Sequence, residues 1–379
     1  MIKLKIDNFG PIKHAELDLK KVNILIGEQG AGKSCILKIA AFCMWVEKVY
    51  LSGEMDDLQR GISQKEFVEK HLLTYYKLEE YAVVAENIFS KISFKSSINI
   101  DIKFNKIDNN WIQIKKNKSN ASSKRVAYIP AERVLVSAIP NLLQIRLRDT
   151  CLLNYLVDWE HGHKYYTENN RLNILGLNAD FFYDPNSSTD YLLIKDNGVS
   201  KIIRLSNAAS GFQSVVPICV LTEFYLNNDD TISVREKMSE TNNNHIAHNR
   251  DCCLFLEEPE GNIFPETQYR LARWLISTLN NDFDNSLFIA THSPYILTAL
   301  NNLIYAGNVG KKQPSRIKKL ISPKMWLSSN NVSAYFVNEG TVLNIVDSEL
   351  GEIDPELIDK VSDTINSEYN QIRDIKYSN

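Results

Sequence analysis

At 379 residues the chain has room for two or three compact units. Its 44% hydrophobic and 23% charged residues describe an ordinary soluble globular protein with ample core. A formal net charge of −3 gives no global basic field for tight non-specific DNA binding, and no apolar run approaches the ~18 residues of a membrane span.

Met1-Ile-Lys-Leu-Lys-Ile-Asp7 alternates apolar and polar residues from the start, so no signal peptide is expected ahead of it. With residues 13–20 it reads as a β-hairpin turned at Asn8-Phe-Gly-Pro11. A short apolar strand, Val22 to Ile26, then enters Gly27-Glu28-Gln29-Gly30-Ala31-Gly32-Lys33-Ser34, and an apolar helix follows from Cys35. Strand, glycine loop and helix together make a phosphate-binding loop. The glycines let backbone N–H groups from Gly27 to Cys35 close on an anion, and the helix dipole adds to them. Lys33 is expected to reach the β- and γ-phosphates of a nucleoside triphosphate while packing against nothing else, and Ser34 to ligate Mg²⁺.

Helical periodicity covers 35–50 and about 55–92. Strands are expected at 98–104 and 111–114, joined by a polar turn at 106–110, and a lysine- and serine-rich link at 115–123 leads to a buried strand at 125–130. Mixed helix and loop run from 134 to 180, and a hairpin, 191–194 with 201–205, turns at Asp196-Asn-Gly198. Residues 229–250 are polar and asparagine-rich and read as an exposed insertion. Six cysteines without a C-x-x-C pair read as buried reduced thiols in a cytoplasmic protein. His161 with His163, and His245 with His248, lack supporting cysteines and are read as non-metal sites. Basic residues crowd 115–118 and 311–324, the second being the better candidate for DNA contact.

Three later motifs carry chemistry. Ser210-Gly211-Phe-Gln213 opens an apolar helix, a second place where hydroxyl, N–H groups and dipole favour an anion. The buried strand 252–257 ends in Glu257-Glu258-Pro-Glu260, where Glu257 would hold the hydrated metal and Glu258 polarise the attacking water. A second buried strand, 286–291, delivers Thr291-His292 to the same carboxyl edge of the sheet.

This set of motifs resembles the ABC-type ATPases of the SMC and overcoming-lysogenisation-defect clade, including Septu-type and other anti-phage defence ATPases. The resemblance runs from Met1 to about Leu300. It implies an α/β head with a mixed central sheet around the phosphate loop, an antiparallel β subdomain and a helical lobe carrying the signature motif. It makes Ser210 and Gly211 that signature, meeting the γ-phosphate held by another subunit. Glu257 becomes the Walker B acid, Glu258 the catalytic glutamate and His292 the switch histidine. Arg133 falls where the clade places its Q-loop and is assigned to the nucleotide, although glutamine is missing there. Glu257 replaces the usual aspartate, and 229–250 lengthens the interval between signature and Walker B.

No sustained heptads lie between 35 and 205, so a rod-bearing head is excluded. Fewer than 90 residues follow His292, too few for a complete nuclease domain. The expected organisation divides the ATPase core into a first segment at 1–133 and a second at 251–302. Between them fall a helical lobe at 134–228 and the insertion at 229–250, and C-terminal strands and a helix occupy 303–379. The expected activity is ATP hydrolysis by a homodimer or larger assembly. It would act as sensor or motor of an anti-phage system with a separate nuclease or toxin effector. A DNA-repair ATPase and an ATP-binding scaffold with little turnover are the alternatives.

Overall fold

The computed structural model describes residues 2–53, 55, 62–82, 89–104, 111–117, 124–139, 148, 150–227, 251–281, 283–347, 350–353 and 367–373. The insertion 229–250 with His245 and His248, the turn 106–110, most of the link 115–123 and much of the expected C-terminal helix lie outside the described residues.

The N-terminal hairpin forms as β1 (Ile2–Phe9) and β2 (Ile12–Leu19), followed by β3 (Val22–Gly27) and α1 (Lys33–Ser52). Next come β4 (Ser90–Lys95), β5 (Ile98–Phe104), β6 (Ile112–Lys116) and β7 (Arg125–Ile129). Helix α2 (Cys151–Gly162) precedes β8 (Leu172–Asn173), β9 (Ala179–Asp184), β10 (Thr189–Asp196) and β11 (Val199–Arg204). Then follow α3 (Ser210–Asn227), β12 (Cys252–Glu257), α4 (Pro265–Leu279), β13 (Ser286–Thr291) and α5 (Pro294–Gly310). Strands β14 (Val332–Asn338) and β15 (Thr341–Asn344), with the short pair β16 (Val346–Asp347) and β17 (Glu352–Ile353), complete the set.

Eleven strands form one mixed sheet in the order β6-β5-β4-β1-β2-β15-β14-β3-β13-β12-β7. From β14 to β7 all neighbours are parallel. From β6 to β2 all are antiparallel. The two halves meet at β15, which runs antiparallel to β14 and joins β2 through Thr341 and His14. Helical periodicity expected up to residue 92 gives way by Ser90 to β4, because Ile92 and Phe94 pair with Ile6 and Leu4 of β1. That pairing is a tertiary gain which local periodicity cannot register. A separate sheet, β11-β10-β9-β8, contains the expected hairpin, with Asn197 and Gly198 at φ of 46° and 82° in its two-residue turn.

Parallel strands buried on both faces must be apolar at nearly every position. Here Ile24, Leu254, Ile289 and Ala334 face one core, shared with α2 to α5. Leu25, Phe255, Phe288 and Tyr335 face the other, shared with α1 and the antiparallel strands. Phe255 and Phe288 stack with centroids 4.3 Å apart, tying the two acid- and histidine-bearing strands together.

Candidate active site

The five parallel strands end along one edge, and the loop Gly27–Ser34, Glu257, Glu258 and His292 collect there. Gly27 closes β3 at φ 156°, and a Cβ on it would lie 2.1 Å from the Val337 carbonyl of β14. Only glycine lets the loop leave the sheet against that neighbour. Gly32, at φ 106°, begins α1 without a side-chain cap. The first-turn N–H groups therefore have no side-chain acceptor, which leaves them for an anion.

Lys33 does not stand free of the protein as expected. It is 4% exposed, and its Nζ donates to the carbonyls of Gly27 (2.9 Å) and Glu28 (2.7 Å). The ammonium thus arches across its own loop. Burial pushes its pKa down to about 8, opposed by the nearby carboxylates of Glu258 and Glu260. Lys33 Nζ also lies 3.3 Å from His292 Nδ1, and His292 Nε2 lies 3.3 Å from Glu258 Oε1. A protonated lysine only donates, so Nδ1 accepts and Nε2–H points at Glu258. The three residues form one chain from phosphate loop to carboxylate.

Glu257 is buried at the end of β12. Its carboxylate accepts from Tyr128 OH (2.6 Å) and Ala131 N–H (3.2 Å), and Lys38 Nζ is 3.9 Å away. Burial and the adjacent Glu257 push the Tyr128 hydroxyl well up, so it stays a donor. Lys38 sits one helical turn past Ser34, which brings Glu257 over the first turns of α1. A serine hydroxyl and a carboxylate are the hard oxygen donors that Mg²⁺ accepts, so the residues present fit that ion.

Glu258 has φ 41°, in the left-handed region that a non-glycine residue enters at a cost of ~1–3 kcal/mol. The turn is over-determined: Glu258 N–H donates to Ala290 O (2.8 Å), and Glu258 O accepts from Gly261 N–H (3.0 Å) and Arg133 Nη2 (2.6 Å). Arg133, expected at the nucleotide, is buried at this edge with its donors turned to the protein. Its guanidinium is 1% exposed and spends its donors on the carbonyls of Glu257, Glu258 and Ser214. It fastens the acid-bearing turn to α3.

Ser210 and Gly211 lie at the N-terminus of α3, with Ser210 exposed. Among the described residues no hydrogen bond or ion pair joins them to residues 27–34, whereas Ser214 Oγ, one turn further, donates to Gly261 O (2.6 Å). Glu260, which the sequence motif gives no separate role, has one here. Its carboxylate accepts from Thr291 Oγ1 (2.8 Å) and from the His292 N–H. All six cysteines are buried thiols. No cluster of three metal-ligating side chains and no helix long and apolar enough to cross a membrane occurs among the described residues. His163, not expected to bind metal, is buried with Nδ1 2.8 Å from Asp190.

Comparison with known families adds two matches: a model described as AAA ATPase domain over residues 161–297 and one described as AAA domain over 3–174. No curated protein matches. The chain is similar to the SMC head domain from Thermotoga maritima at 10% identity and TM-score 0.42, covering 90% of this chain and 97% of that one. It is similar to an Smc head domain with an extended coiled coil, bound to the C-terminal domain of ScpA, derived from Pyrococcus furiosus (9%, TM-score 0.39, 91% and 96%). It is also similar to the recombination mediator protein RecF (11%, TM-score 0.37, 90% and 97%). Overlaps this loose leave the assignment to the family models and to the site, and these make the chain an ATPase.

Proposed function

We propose that the chain hydrolyses ATP as a nucleotide-gated homodimer and serves as the sensor or motor of a bacterial anti-phage system with a separate nuclease or toxin effector. The observation that carries the hydrolytic role is the chain Lys33–His292–Glu258 at the ends of adjacent parallel strands. The loop from Gly27 to Cys35 cradles the phosphates, and Lys33 turns from its own carbonyls to the β- and γ-oxygens. Glu258 takes the proton of the attacking water, and His292 Nε2–H orients its carboxylate. Ser34 and Glu257 would hold Mg²⁺, which neutralises phosphate charge when bound. Ser210, exposed at the start of α3, and the half-buried Gly211 beside it are offered to the γ-phosphate of a second copy. Six buried thiols without a disulfide favour a reducing, cytoplasmic setting. The defence role rests on the resemblance of Glu257-Glu258-Pro-Glu260 to that motif in Septu-type ATPases.

The second reading is a DNA repair or recombination ATPase. No carboxylate occurs between Asp284 and Glu339, while Lys311, Lys312, Arg316, Lys318, Lys319 and Lys324 do, all six exposed. In a chain of net charge −3 that segregation favours contact with a polyanion.

Light scattering on Glu258→Gln with Mg-ATP and with Mg-ADP tests the dimer. The ATP-loaded variant should be larger, and adding Ser210→Arg should abolish the difference. A mass independent of nucleotide would overturn the gating. A parent protein that binds ATP but turns it over negligibly, with or without DNA, would favour an assembly scaffold instead.

A further inference from the structure

The switch segment is fastened to its surroundings by two devices that meet at Thr291, whose Oγ1 accepts from Ser293 N–H (3.0 Å). One is structural. Ser293 Oγ caps α5 by accepting from Tyr295 and Ile296 N–H (3.1 and 3.2 Å), and it donates to Gln268, whose Nε2 donates to Ile263 O (2.9 Å). That network holds Ser293 to α4 without Glu260. The second device is Glu260 alone. One oxygen takes the Thr291 hydroxyl and the other the backbone N–H of His292, the residue whose ring bridges Lys33 and Glu258. Glu260 lies two residues beyond Glu258, on the turn that Arg133 clamps at two carbonyls. It therefore connects a rigid turn carrying the acid to the next strand end, which carries the histidine.

We infer that Glu260 is a positioning residue that locks His292 in register with Glu258, so that turnover depends on Glu260 although it touches no substrate. Charge-assisted hydrogen bonds are short and directional. A carboxylate spent on both Thr291 and His292 leaves the switch backbone one position relative to the turn. Without it, Ser293 keeps its tie to Gln268 and Ala290 its bond from the Glu258 N–H, while the Thr291 hydroxyl and the His292 N–H lose their acceptor on that turn. The inference rests on His292 and Glu258 acting at the terminal phosphate, as proposed above.

The test compares the full chain with Glu260→Ala, Glu260→Gln, His292→Ala and the Glu260→Ala/His292→Ala double variant. Steady-state kinetics with Mg-ATP and amide hydrogen exchange across residues 288–296 are the readouts. Glu260→Ala should lower kcat by about 10–100-fold, the usual effect of losing an orienting partner. KM should stay within about 2-fold, because binding to the cradle is untouched. Exchange at 288–296 should quicken. Glu260→Gln, which keeps an acceptor for the His292 N–H and an amide for Thr291, should recover most of the rate. The double variant should be no slower than His292→Ala, because Glu260 acts only through that histidine. Unchanged exchange in Glu260→Ala, or losses that multiply in the double variant, would overturn the inference. If exchange quickens but His292→Ala turns over normally, the catalytic role of His292 is what fails. Should Glu260→Ala not fold, Thr291→Val removes one of the two Glu260 bonds together with the Ser293 N–H bond to Thr291 Oγ1, and must quicken exchange at 288–296 with a smaller loss of kcat.

Discussion

The two halves of the central sheet share hydrogen bonds and one of the two cores, yet they contribute very differently. Strands β14, β3, β13, β12 and β7 run parallel, so their carboxyl ends lie on one edge. Gly27, Thr291, Glu257 and the Pro130–Arg133 turn all emerge there. Strands β1, β2, β4, β5 and β6 alternate in direction, so successive connections fall at opposite ends. No motif residue comes from them. Parallel order gathers loops and antiparallel order scatters them, which is why one half carries the candidate site and the other supports it.

The sharpest way to break this comparison is at the acid. Glu258→Gln should cut turnover by ~10²–10⁴, the range of a general base, with little change in melting temperature. Phe104→Ala, the counterpart in the antiparallel half, should do the reverse. Phe104 is fully buried against Phe9 at 5.0 Å, so its loss should cost ~3–5 kcal/mol of stability while kcat per folded molecule holds. If Phe104→Ala instead slowed the folded enzyme, the division of labour would be wrong.

A smaller effect is expected at Lys33. Replacing it by alanine removes charged hydrogen bonds to phosphate worth about 1.5–3 kcal/mol, or roughly 10- to 150-fold in ATP affinity by calorimetry. Because Lys33 also serves the Gly27 and Glu28 carbonyls, the loop should exchange its amides faster even without nucleotide. Equal ATP affinity in parent and variant would remove Lys33 from the site. The smallest effect lies away from both halves, after α5. Lys318→Glu with Lys319→Glu should weaken duplex binding and lower its salt slope by about 1 for each phosphate no longer neutralised. A parent protein that binds no duplex at low salt would assign any DNA contact to a partner.

The phosphate loop, the two acids and the Thr291-His292 pair are legible in the sequence because each is a local device. Glycines at fixed spacing, and apolar runs ending in charge, carry their geometry with them. The parallel strands are legible for the same reason, since burial on both faces leaves few polar positions. The first hairpin and the Asn197-Gly198 turn are equally plain. Strand β4 is not, because its identity depends on pairing with β1.

What only the tertiary structure decides is who meets whom. Arg133 is expected at the nucleotide only through the resemblance that puts a Q-loop there; that it braces the acid-bearing turn follows from Glu258, 125 residues away, which brings a carbonyl to it. Glu260 reads as one acid of a run; its partner His292 lies 32 residues on, across a helix. Lys33 reads as free of the protein, yet its own loop carbonyls hold it. Val337 of β14, the neighbour that makes Gly27 obligatory, comes from the far end of the chain. Sequence periodicity records which face of an element is buried. It holds no term for the distance between two elements, and that distance sets every hydrogen bond linking the loops of this site.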